Sequence, residues 1–144
     1  NHPALLVWGL GNEIETEVRR RLRRQFGMSL ARFDYLAQLQ RHPDGLTMST
    51  LSNYLMVTGG NVTGLTNDAV RDGLVQREVS AEDRRSFRVS LTAEGRAVFE
   101  AAAEHHESWI IELFAGLTSA ERTQLNELLG RLRQHLSATT KRAG

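Results

Sequence analysis

The chain has no cysteine, a single lysine, two prolines and few aromatic residues, and each shortage narrows what it can be. Without cysteine there can be no disulfide, thiolate metal site, thiol nucleophile or thiol-based redox sensor. With Lys141 the only lysine, nearly every cation is an arginine, whose planar fork suits phosphate, carboxylate and guanine. A net charge of +1 is too small to make the whole surface a polyanion binder, so any field that attracts nucleic acid must come from local clustering. Long apolar runs are missing too. Residues 4–10 form the only N-terminal apolar stretch; it has no basic residue before it and meets Glu13 and Glu15 soon after. It makes a poor signal peptide and is far too short to span a bilayer, so a cytoplasmic protein with no membrane partner is expected. No nucleophile, base and orienting acid stand together in a recognisable pattern, and an enzyme is not expected.

What is present is helical periodicity. Leu6, Leu10, Ile14, Val18 and Leu22 recur as one stripe of a helix from residue 3 to about 24, ended by Gly27. Ser29 can cap a second helix with Leu30, Phe33, Leu36 and Leu39 inward, stopped by the His-Pro-Asp-Gly turn at residues 42–45. Thr47 caps a third, through Leu55. After the turn at residues 56–58, Thr58 is placed to cap a fourth, with Val62, Leu65 and Val70 inward until Gly73. Residues 75–79 and 87–91 alternate apolar with polar and read as two strands joined by a polar tip, residues 80–86. Thr92 caps a long helix to about Leu113. Residues 118–121, Thr-Ser-Ala-Glu, form a capping box opening a last helix with Leu125, Leu128, Leu129, Leu132 and Leu136, frayed after Ser137.

This order of elements predicts a mainly α fold with a small β-hairpin wing, a winged helix-turn-helix. Residues 29–91 form its head. The outer helices, in residues 1–28 and 92–144, carry more apolar surface than a small head can cover; pairing with a second copy would cover it, so a homodimer is expected.

A winged head binds duplex DNA by pushing the start of its recognition helix into the major groove. Thr58, Asn61, Thr63 and Asn67 supply polar groups there, Asn61 being suited to a two-point contact with adenine. Gly59, Gly60 and Gly64 are costly in a helix, by roughly 1 kcal/mol each. They would let the backbone approach DNA closely. Ser49, near the start of the preceding helix, would meet flanking phosphates. At the hairpin tip Arg84 and Arg85 suit a narrow minor groove, with Asp83 holding an arginine in place.

Residues 33–100 resemble the MarR (multiple antibiotic resistance regulator) family of bacterial transcription factors. The resemblance rests on the helix-turn-helix, the string DGLVQRE, Asp83-Arg84-Arg85-Ser86 and the exit VSLTAEGR. It implies a homodimer on a palindromic operator, usually a repressor, released by a small and often aromatic anion. Arg85 would be the minor-groove arginine and Arg84 a phosphate contact. Gly59-Gly60 departs from the family, where polar or basic side chains are common at those positions. The string GGNVTGLT is similar to the branch regulating catabolism of hydroxycinnamates and related aromatic acids, some of whose members answer to the acyl-CoA thioester.

No cofactor is expected beyond such an effector, a small aromatic acid or acyl-CoA. Its candidate walls are Trp8, Phe33, Tyr35 and Trp109, although helical spacing suits plain core equally. The crowded guanidinium groups of Arg19, Arg20, Arg21, Arg23 and Arg24 repel one another unless anions sit between them. Arg19 and Arg23 are therefore candidates for an effector carboxylate or phosphate, and salt bridges would relieve the repulsion equally well. No metal site is expected. His105 and His106 project differently, and only Glu104 and Glu107 keep open the alternative of a metal- or pH-responsive regulator. An architectural DNA-binding protein with no effector is the other.

Overall fold

In the computed structural model, which describes residues 2–55, 61–79 and 87–143 with side chains as far as residue 140, helices dominate and one small antiparallel sheet accompanies them. The elements run α1 (Pro3–Phe26), α2 (Leu30–Gln40), β1 (Leu46–Thr47), α3 (Met48–Tyr54), α4 (Val62–Arg71), β2 (Val75–Val79), β3 (Phe87–Leu91), α5 (Ala93–Leu113) and α6 (Ser119–Ala143). This is the winged helix-turn-helix expected from the sequence. The chain divides into two units, Asn1–Glu107 and Ser108–Gly144.

Local capping sets most of the boundaries. The Ser29 and Thr47 hydroxyls accept from the backbone N–H groups of Arg32 at 3.1 Å and Thr50 at 3.2 Å, opening α2 and α3. Gly27 closes α1 in the left-handed conformation. Gly73, at φ +77°, takes the chain out of α4 into β2, a backbone geometry that side chains with a Cβ resist. At the head of α5, Thr92 accepts from Gly95 N–H at 3.0 Å and donates to the Gly73 carbonyl at 2.7 Å. Thr118 and Glu121 bond each other's backbone N–H groups at 2.8 and 3.1 Å, the reciprocal capping box of α6.

Three expectations need correcting. The cap of α4 is Asn61, whose side chain accepts from the N–H groups of Thr63 and Gly64; Thr58 lies outside the described residues. The buried face of α4 is Thr66 and Ala69, while Val62, Leu65 and Val70 are only half-buried, because the helix is aimed at the Tyr35 hydroxyl as well as at apolar neighbours. Helix α6 continues to Ala143 instead of fraying after Ser137.

The sheet order is β1-β3-β2, and both pairs are antiparallel. β2 and β3 run in register from Val75 opposite Leu91 to Val79 opposite Phe87. β1, too short to show a period in sequence, pairs Leu46 with Val89. In the first unit Leu22, Tyr35, Leu36, Leu39, Leu51, Leu55, Ala69 and Val89 are almost wholly buried. They pack α2 against β3, α3 against β1 and β3, and α4 against β2. In the second unit, Arg122 donates to the Leu117 carbonyl at 2.6 Å, closing the turn between α5 and α6. No helix among the described residues is long and apolar enough to cross a membrane.

Candidate nucleic-acid interface

α4 stands on a polar as well as an apolar footing. The buried Tyr35 hydroxyl, from α2, donates to Thr66 Oγ1 at 2.9 Å, and Thr66 in turn donates to Met48 Sδ of α3 at 3.6 Å. This chain ties three helices together beneath the recognition surface. Burial pushes the Tyr35 phenol above its ordinary value, so it stays a neutral donor. At the far end of α4, Arg32 of α2 pairs with Asp72 at 2.8 Å and holds that carboxyl below the usual range. The middle of α4 and its C-terminal end are thus fixed to α2.

The opposite side of α4 is open, with Asn61, Thr63, Asn67 and Asp68 exposed. Asp68 is paired with Arg71 at 3.2 Å. Asn61 Oδ1 accepts from Thr63 N at 3.1 Å and Gly64 N at 3.2 Å, which fills both its lone pairs. The expected two-point contact with adenine needs that oxygen as an acceptor, so the structure replaces that role with a cap. Gly64 has room: a Cβ there would come no nearer to another group than 3.5 Å from Asn61 Nδ2. Its small size is not required by the protein's own interior. Ser49 is exposed on the first turn of α3.

One residue went unnoticed in the sequence. Arg77 of β2 donates through Nη2 to Asn67 Oδ1 of α4, and its guanidinium lies 5.5 Å from the ring centre of Phe87 on β3. It therefore braces the wing's base against the recognition helix. Its charge marks Arg77 as a surface residue although strand alternation puts it on the face of Val75 and Val79, and nothing local says that the turn at Gly73 returns it to Asn67. Thr58, Gly59, Gly60, Asp83, Arg84 and Arg85 lie outside the described residues.

Within the first unit the candidate effector residues do not converge on one point. Trp8 is 70% exposed near the start of α1. Arg23 is fifteen residues further along that helix, about 22 Å at 1.5 Å per residue, so one small acid cannot touch both on one protomer. Phe33 stacks with Phe99 and His106, at centroid distances of 5.4 and 4.8 Å, and Tyr35 is wholly buried with its hydroxyl engaged by Thr66. Trp109, in the second unit, is buried. The arginine cluster brings its own anions: Glu15 bonds Arg19 at 2.7 Å, and Glu17 bonds Arg20 at 2.6 Å and Arg21 at 2.8 Å. The bonds to Arg20 and Arg21 hold the Glu17 carboxyl at about 2. Relief of repulsion therefore does not call for a bound ligand. His105 meets Phe26 edge-on, and burial lowers the His106 imidazole below its ordinary value. Among the described residues no group of three or more His, Asp or Glu is arranged to hold a metal ion.

A profile described as "MarR family" matches residues 26–86. The chain is 30% identical over 137 residues to the HTH-type transcriptional regulator PecS of Dickeya dadantii, covering 92% of this chain and 82% of that protein. It is 32% identical over 112 residues to the HTH-type transcriptional repressor YetL of Bacillus subtilis, covering 77% of this chain and 67% of that one. The fold is similar to the crystal structure of a MarR family transcriptional regulator from Silicibacter pomeroyi, with TM-score 0.77 and 34% identity, covering 92% of this chain and 91% of that one.

Proposed function

Because the chain belongs to the MarR family of transcriptional regulators, we propose that it regulates by binding duplex DNA as a homodimer, with α4 in the major groove and the β2–β3 wing beside the flanking minor groove. The observation that carries this reading is the two-sided character of α4. Thr66 and Ala69 are wholly buried and anchored, while Asn61, Thr63 and Asn67 stand exposed on the other side. A helix so fixed presents its polar face at a definite angle, as base reading requires.

Exposed apolar groups support the dimer. Leu6 and Leu10 of α1, and Leu128, Leu132 and Leu136 of α6, are each at least half exposed, more bare leucine than a lone chain ordinarily leaves in water. Residues 1–28 and 92–144 would form the dimer interface and residues 29–91 the DNA-binding head. Repression is proposed after the relative YetL, named a transcriptional repressor, and a palindromic operator after the two-fold symmetry of a homodimer. The effector we propose is a small aromatic acid or its CoA thioester, the hydroxycinnamoyl-CoA class being favoured by the string GGNVTGLT. Arg23 and Arg24, exposed and without a carboxylate partner among the described residues, are the cations able to meet its anionic group.

The test is fluorescence anisotropy on duplex DNA from immediately upstream of the protein's own gene, titrated with a hydroxycinnamoyl-CoA and, separately, with the free acid. Release by one of them is expected. Tight, sequence-specific binding untouched by both would remove the effector and leave the DNA-binding reading standing.

A further inference from the structure

Resting on that reading, we infer that Asn61 and Asn67 on the exposed side of α4, together with Arg77, offer DNA hydrogen-bond donors and not acceptors, so that these three side chains recognise acceptor-rich edges: guanine O6 and N7, or phosphate oxygens. Three side chains make it so. The Asn61 oxygen is filled by two backbone N–H groups, Thr63 at 3.1 Å and Gly64 at 3.2 Å, which leaves the Nδ2 hydrogens as its free polar group. The Asn67 oxygen is taken by Arg77. A guanidinium carries donors only, so the atom it meets must be the amide oxygen, and the Asn67 amide is turned with its NH2 group away from Arg77. Arg77 adds donors of its own, positioned by the Phe87 ring.

Adenine read by a carboxamide needs one acceptor and one donor together, on N6–H and N7. Neither asparagine has that pair to give. Guanine is the base that shows two acceptors side by side in the major groove, and it fits Nδ2 hydrogens or the remaining Arg77 N–H groups. Arg77 is thus a positioning residue for specificity: by occupying the Asn67 oxygen it decides which end of the amide faces the groove.

The experiment is selection from a randomised duplex library with the intact protein, its N61D and N67D variants, and R77M. Both aspartates preserve the protein's own bonds, since a carboxylate caps α4 and pairs with Arg77, but both lose the NH2 donors. For the wild type, guanine should appear at fixed half-site positions, and 7-deazaguanine there should weaken binding about 5- to 100-fold. In N61D or N67D the preferred base should change from guanine towards cytosine, whose amino group a carboxylate accepts. General repulsion of a carboxylate by DNA weakens all sequences alike and would not change the base. R77M should admit adenine where the wild type takes guanine. Sequence-independent loss in the aspartate variants, with 7-deazaguanine tolerated, would put the donors on phosphates and still support a donor surface. A wild-type site built on adenine, dependent on its 6-amino group, would overturn the inference while leaving the DNA-binding reading intact. Retention of no sequence by the wild type would overturn both.

Discussion

Replacing Thr66 by valine should destabilise the head more than replacing Tyr35 by phenylalanine, and making both changes should cost less than Thr66→Val alone. The Tyr35 hydroxyl is wholly buried and has Thr66 Oγ1, at 2.9 Å, as its acceptor. Tyr35→Phe deletes that donor but leaves Thr66 bonded to Met48 Sδ at 3.6 Å, so the loss is one net hydrogen bond, about 1 kcal/mol. Thr66→Val keeps the shape and strands the phenol in the core, a desolvation cost of about 1–3 kcal/mol. The double variant has no stranded group, and its cost should return to about 1 kcal/mol, a coupling of about 1–3 kcal/mol. The assay is urea unfolding followed by circular dichroism, at one protein concentration because dimerisation contributes to stability, with the slope checked for constancy. Costs that add within about 0.3 kcal/mol would refute the account of how α4 is anchored.

Gly95→Ala should be severely destabilising: the new Cβ would lie 1.9 Å from the Leu74 carbonyl oxygen, a backbone atom that cannot step aside, so at least about 2 kcal/mol and several degrees of Tm should be lost. Gly64→Ala should do the opposite, stabilising α4 by up to about 1 kcal/mol while weakening DNA binding, and a more stable variant with unchanged affinity would show that α4 does not approach DNA there. Stability should also fall as pH drops below about 6.5, the ordinary histidine value, because burial depresses the His106 imidazole and the unfolded chain then takes up the proton more readily than the folded one. His106→Asn should lose that phase between pH 7.5 and 5.5, and an identical pH profile in thermal melts would contradict it.

The parts of the fold that were legible in the sequence are those decided within a few residues. Ser29, Thr47 and Thr118 each cap through an N–H three residues on, and the strands Val75–Val79 and Phe87–Leu91 follow from alternation bounded by turn residues. The cap of α4 was ambiguous because Thr58 and Asn61, both good caps, stand three residues apart in the same glycine-rich stretch. Its buried face was misjudged because apolar periodicity gives no weight to a threonine that is inward only to meet a tyrosine thirty-one residues earlier. Arg77 was invisible for a similar reason: its partner Asn67 is ten residues away around a turn whose exit angle depends on Gly73. The arginine cluster of α1 suggested a ligand because repulsion is obvious in sequence, whereas the answering Glu15 and Glu17 require checking which side each carboxylate takes.

The central claim, sequence-specific binding of duplex DNA by a winged head, is tested most directly by comparing affinities for DNA upstream of the protein's own gene and for a shuffled duplex of equal composition, between about 50 and 200 mM salt. The account predicts roughly a thousandfold preference for the natural duplex and a salt slope that flattens by about 1 in Arg85→Ala, in the segment that links β2 to β3. Equal affinity for the two duplexes at every salt concentration would contradict it.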